Sequence, residues 1–181
     1  QTVADGLCFR YEYDFRNRMI IKKVPDAGEI RMVYDKYDRL VMSQDSNLRV
    51  QKKWLFTCYD ALNRPDSTGL MTDTGHYNDQ AYHRNLANQS SLYPNLAAYT
   101  FELLTRTFYD GYAAVSAASG LSAQMATRYT NSADYFIVDY NSPPFYAAPM
   151  TASPMTMGLV TGAMTKVLDT SRSEERRVGK E

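Results

Sequence analysis

One short phrase, Tyr-Asp, three variable residues, then Arg, occurs three times in this chain: Tyr13–Arg18 (YDFRNR), Tyr34–Arg39 (YDKYDR) and Tyr59–Arg64 (YDALNR). The tyrosines stand 21 and 25 residues apart, a period at which self-similarity marks stacked repeats rather than a single-core enzyme. A fourth, degenerate copy, FYDGYA, begins at Phe108 and keeps Tyr109 and Asp110 but loses the Arg.

The phrase has a physical reading. Before the first copy, Phe9, Tyr11 and Tyr13 alternate with Arg10 and Glu12, a period of two that predicts a half-buried strand whose inward face ends at the Tyr. Asp14, Asp35 and Asp60 then start Asx turns, accepting backbone N–H groups two residues on. The residue before each Arg is Asn17, Asp38 or Asn63, and Asn and Asp are the side chains that best tolerate a left-handed backbone. Apolar pattern resumes after the turn in MIIKKV and LVMS, so the phrase predicts a β-hairpin of the longer-loop kind. A lone hairpin is marginal in water, whereas stacked hairpins bury their faces continuously. Arg18, Arg39 and Arg64 form either a cation ladder for an anionic ligand or ion pairs with the Asp of their own or the adjacent hairpin. Opposite-charge pairs recur across sheets, which favours the pairs.

The Y-D-x-x-x-R phrase flanked by strands resembles the YD repeat of the Rhs proteins. The text YDKYDRLVMSQDSNLRVQKKWLFTCYDALNRPDSTGL is similar to Rhs-type proteins of the Bacteroidetes, clearly from about Cys8 to Thr72 and more weakly to Ser171. The family usually has Gly before the Arg where this chain has Asn or Asp, a departure the turn tolerates. The resemblance implies a mainly β fold, repeated antiparallel hairpins forming an extended curved sheet. In complete Rhs proteins that sheet is a shell around a C-terminal toxin domain. It also implies a secreted or cell-surface location.

Taken in order, residues 1–72 read as the YD hairpins. VPDAGE (Val24–Glu29) and QDSN (Gln44–Asn47) are the outer turns of a meander. In KKWLFTCYD, Trp54, Phe56 and Cys58 share one face and Leu55, Thr57 and Tyr59 the other, so this strand is interior. Residues 73–98 form a polar insertion with a short helix expected near Asn78–Gln89. Its His76, Asp79 and His83 lack the Glu of an H-E-x-x-H motif and read as solvated loop residues, not metal ligands. Residues 99–170 carry further degenerate strands, at Tyr99–Asp110, Phe136–Tyr140 and Gly158–Thr170, around a Pro-rich loop. The tail 171–181, SRSEERRVGKE, resembles a read-through sequence found on unrelated proteins predicted from assembled environmental DNA and is set aside as an artefact of assembly. The start at Gln1 without Met reads as an internal fragment, so a missing signal peptide says nothing about location.

Composition narrows the function. Lys+Arg and Asp+Glu are equal at 20 each, which argues for no nucleic-acid partner, and no apolar run approaches a membrane span. Fifteen tyrosines suit sheets with partly wet faces. Cys8 and Cys58 occupy non-equivalent repeat positions, and free thiols are expected over a bridge. No nucleophile elbow, phosphate loop or metal set is recognisable, and the recurring acids are accounted for by turns, so neither catalysis nor a cofactor is expected. The expected role is structural, with the flanking repeats and an enclosed toxin domain as partners. The second reading is a surface adhesin holding carbohydrate on exposed Tyr and Trp faces.

Overall fold

The computed structural model describes residues 7–25, 27–90, 92–122, 155–167 and 176–178. The protein is mainly β, with antiparallel strands in an open sheet and few helices. The chain divides into two compact units, Gln1–Arg106 and Thr107–Glu181.

In the first unit each complete phrase closes a hairpin. Strands β1 (Arg10–Tyr13) and β2 (Met19–Lys23) flank the first, β3 (Ile30–Tyr34) and β4 (Leu40–Gln44) the second, and β5 (Lys53–Tyr59) and β6 (Pro65–Thr72) the third. Strand β7 (Thr100–Tyr109) continues the meander beside β6. All three hairpins share an irregularity with no obvious sequence mark. Glu12 pairs with Ile21 but Tyr13 with Met19, Val33 with Met42 but Tyr34 with Leu40, and Cys58 with Ser67 but Tyr59 with Pro65. Ile20, Val41 and Asp66 are therefore the extra residues of one recurring bulge. The bulge re-aims side chains, so consecutive Val41 and Met42 are both buried.

One row of residues crosses the sheet: Val33, Met42, Phe56, Gly69 and Leu103 are successive cross-strand neighbours. Trp54 lies opposite Met71 in the next row. This face is covered by the segment between β6 and β7. That segment carries helix α2 (Gln80–Gln89), capped by Asp79, whose carboxylate accepts the Tyr82 N–H, and a 3-10 turn at Leu96–Ala98. Ala87 and Tyr93 join Val33, Val41, Met42, Trp54, Phe56 and Met71 in one hydrophobic cluster. Polar side chains fix the cover to strand backbone. Gln80 Nε2 donates to the carbonyls of Ile20 and Met32, and Gln44 Nε2 to those of Lys53 and Tyr77. The insertion is thus the lid of the core and not a solvated loop. A helix of low apolar content serves here because the sheet supplies most of the large side chains, and the helix adds Ala87, His83, Leu86 and Gln80.

Other expectations change as well. Strand β1 has no inward face: all four residues are exposed, because among the described residues β2 is its one strand neighbour and no β1 residue joins the covered cluster. QDSN is the start of a one-turn helix, α1 (Ser46–Val50), with Asp45 accepting the Leu48 N–H at its N-terminus. Lys52 leaves it with φ of 58°.

In the second unit, the end of β7 is followed by helix α3 (Ala113–Ser119), which the small-residue run did not announce, and strand β8 (Val160–Thr165). Strand β9 (Arg176–Val178) pairs antiparallel with β8, so the tail set aside from the fold contributes three residues to it. An unfilled strand edge accepts any extended segment through backbone bonds alone. The expected strand Phe136–Tyr140 and the Pro-rich loop lie outside the described residues. Neither Cys8, exposed, nor Cys58, half-buried, is in a disulfide.

Gly69 is the position where this packing is least forgiving. A Cβ there would collide with the Glu102 carbonyl and the Phe56 ring. Gly69→Ala should cost about 1–3 kcal/mol by overpacking, read as a lower urea midpoint at unchanged slope.

Candidate functional site

The three turns are built atom for atom alike. Backbone bonds run from the Asp N–H to the Arg carbonyl and from the N–H before the Arg back to the Asp carbonyl, at 2.9–3.1 Å in every copy. Asn17, Asp38 and Asn63 adopt left-handed backbone, with φ of 59°, 63° and 63°. This is the three-residue hairpin loop, a turn followed by a left-handed residue. The Asp carboxylate fills its centre. In the first copy Oδ1 accepts the Arg16 and Arg18 N–H groups at 2.9 and 3.0 Å, and Oδ2 accepts Arg18 Nε at 2.8 Å, with a terminal nitrogen of the same guanidinium in ion-pair contact at 2.7 Å. Asp35 does the same with Tyr37 and Arg39, and Asp60 with Leu62 and Arg64. Three accepted bonds engage both oxygens of each carboxylate. Burial pushes the Asp14 carboxyl up, but the bonds from Arg18 and the two backbone N–H groups outweigh it and hold it below the usual range.

The first two guanidinium groups also reach forward. Arg18 donates its free terminal nitrogen to Asp38 Oδ1 at 2.8 Å and to the Asp35 carbonyl at 2.9 Å, and it lies 5.1 Å above the Tyr34 ring. Arg39 donates to Asn63 Oδ1 at 2.8 Å and lies 4.7 Å above the Tyr59 ring. The left-handed residue therefore has two tasks, making the turn and receiving the previous copy's Arg. Arg16 adds a second donor to Asp38 at 3.0 Å. The arginines are thus committed to protein acceptors, and Arg64 is paired with Asp60.

The fourth copy is the same turn interrupted. The Asp110 N–H donates to the Leu159 carbonyl, where the other copies use the Arg four residues on, and Asp110 Oδ1 accepts the Gly158 N–H. Gly158, with φ of 82°, stands in the left-handed place and β8 follows at once, as β2 follows Arg18. Residues 112–157 are inserted inside the turn. Asp110 itself has a left-handed backbone, with φ of 64°, and the chain leaves it into α3. Tyr109 ends β7 as Tyr13, Tyr34 and Tyr59 end their strands.

The expected loop histidines part company. His76 is exposed and stacks on Tyr82 at 3.7 Å, and Asp79 is the helix cap. His83 is fully buried, edge-on to Trp54, with Nδ1 2.7 Å from the Tyr93 hydroxyl and Nε2 3.2 Å from the His76 carbonyl. A carbonyl only accepts, so Nε2 carries the proton and Nδ1 accepts from Tyr93. Asp73 Oδ2 stands 3.4 Å from Nε2. Burial lowers the imidazole's affinity for a second proton, more than the Asp73 charge raises it. Acid, imidazole and phenol look like a relay, yet the imidazole is sealed beneath Trp54 and works as a core strut. Among the described residues no group of three His, Cys, Asp or Glu side chains is placed to hold a metal ion. Trp54 is fully buried and cannot offer a face to a sugar. Tyr37, Arg39, Tyr59, Asp60, Asn63 and Leu92 line a groove of about 440 Å³ beside the third turn. No sequence signal pointed to Leu92.

No protein-family model, curated protein or solved structure matches this chain.

Two measurements test the site. Asn17→Gly should be neutral or slightly stabilising. Asp38→Gly keeps the turn but strips an acceptor from Arg16 and Arg18, costing about 0.5–1 kcal/mol. Val at either position should cost about 1–2 kcal/mol more than Gly in urea melts. Separately, His83 takes its proton more readily unfolded than folded, so stability should be full above the ordinary His range of about 6.5 and fall as pH drops through it. Urea midpoints compared between pH 7.5 and 5.5 should show this loss in His76→Gln but not in His83→Gln.

Proposed function

We propose that this chain is a structural segment of a large Rhs-type secreted or surface protein, its stacked hairpins forming part of a sheet that encloses a toxin domain. The observation that carries the reading is the forward link between copies. Each turn is complete in itself, yet at the two junctions between complete copies the earlier turn gives a donor and the later one receives it: Arg18 to Asp38, and Arg39 to Asn63. A sheet built this way extends by repetition, which is what a long wall needs and a compact enzyme does not. The strand register repeats too. The residue three past the Arg faces the residue three before the next Tyr at all three junctions: Ile21 with Arg31, Met42 with Phe56, and Ser67 with Arg106. The third junction holds this register across the helical insertion.

A second reading, a carbohydrate-binding surface, is favoured by the groove between Tyr37 and Tyr59, where rings and polar groups lie together. Of the aromatic residues proposed for it, Tyr37 is exposed and Trp54 is not.

Light scattering and hydrogen exchange separate the two. A wall segment should self-associate, with slow amides at Trp54–Tyr59 and fast ones in β1 and β8. A monodisperse protein whose β1 amides are as slow as those of β5 would favour the binding module.

A further inference from the structure

We propose that the exposed edge of β1 is a coded docking site for another Tyr-Asp-x-x-(Asn/Asp)-Arg hairpin. Two internal junctions define the code. A donor hairpin lays its second strand on the acceptor's first strand, sends its Arg to the oxygen of the acceptor's left-handed residue, and covers the acceptor's Tyr with the guanidinium. Arg18 does this to Asp38 and Tyr34, and Arg39 to Asn63 and Tyr59. The strand pairing is the same in both, Ile21 with Arg31 and Lys22 with Ile30, then Met42 with Phe56 and Ser43 with Leu55.

The first hairpin carries the acceptor half of this arrangement, unfilled. Asn17 holds the same left-handed backbone as Asn63 and its side chain is exposed. Tyr13 is 55% exposed, whereas Tyr34 and Tyr59 are half-buried. Among the described residues no guanidinium lies over Tyr13 and none reaches Asn17. Tyr11 is exposed on the same edge strand, and Phe9 just before it. The code sets the register of the newcomer: its residue three past the Arg opposite Arg10, and the next opposite Phe9. A second copy of this chain has no suitable strand to offer, because β2, β4 and β6 each already have neighbours on both sides. The occupant is therefore a Tyr-Asp hairpin from another stretch of polypeptide, with an Arg that has no forward acceptor of its own. This deepens the repeat-segment reading and rests on it.

The probe is a fluorescein-labelled peptide of this chain's own second hairpin, residues 30–44, titrated against the full chain by anisotropy. Saturable binding is expected, with slowed hydrogen exchange in the β1 amides. An Arg39→Ala peptide should bind about tenfold more weakly, the loss of one charge-assisted hydrogen bond and a ring contact. Asn17→Gly in the protein, which keeps the left-handed turn, should produce a similar loss, and the two losses should not add. Absence of saturable binding, binding that leaves β1 unprotected, or equal affinity for the wild-type and Arg39→Ala peptides would each overturn the proposal. So would a dimer of the chain that closes over β1 and excludes the peptide. In the equal-affinity case the edge is adhesive without a code. The wall reading would survive that result if exchange still slows from β1 to β5, and would fall if that gradient were absent.

Discussion

A buried carboxylate that must be fully hydrogen-bonded governs this structure. Asp14 and Asp35 are nearly inaccessible to solvent, and a charge in that position is tolerable only with all its acceptor sites engaged. The hairpin loop supplies two backbone N–H groups on one oxygen, and the guanidinium of the Arg four residues on supplies the Nε donor and an ion pair to the other. The solution fixes the side of the loop from which the Arg enters and points its remaining terminal nitrogen out of the turn. That nitrogen needs an acceptor, and the next copy's left-handed residue is within reach. Local satisfaction of one Asp thus becomes a repeat-to-repeat bond.

The fourth copy shows which part of this device is indispensable. It has no Arg, and about forty-five residues separate Asp110 from the Gly158–Leu159 pair that closes its turn. The backbone pair to Leu159, the carboxylate bond to Gly158 and the left-handed residue remain. Hairpin geometry survives without the Arg, whereas the forward link depends on it. The Arg serves the junction more than the turn.

The covering segment adds a different constraint. A sheet of repeated hairpins with wet faces has no core, yet here one face is dry, with Trp54, Phe56 and Met71 under α2 and Tyr93. The junction between β6 and β7 keeps the register of the shorter junctions at Ser67 and Thr68 and slips by one residue between Thr68 and Gly69, so the segment was accommodated at a hairpin end with one added bulge. Gln80 anchors it to the strand carbonyls of Ile20 and Met32, and Gln44 of β4 holds its Tyr77 carbonyl, which is part of why it reads as polar. The side chains that hold it recognise backbone, which leaves no apolar periodicity behind.

What the sequence determined by itself is local. The alternation before each Tyr, the Asp that opens the turn and the Asn or Asp before the Arg encode strand, turn and left-handed residue within six positions, because these are short-range steric and hydrogen-bond preferences. The interior place of the Trp54 strand was legible for the same reason, since apolar residues on both faces require neighbours on both sides. Tertiary structure alone decided the rest. It set where each Arg sends its second hand, that β1 lies bare, that His83 is buried against Trp54, and that Gly158 closes a turn opened at Asp110. Each of these joins residues far apart in the chain or depends on which neighbour is present, and no local preference records a neighbour.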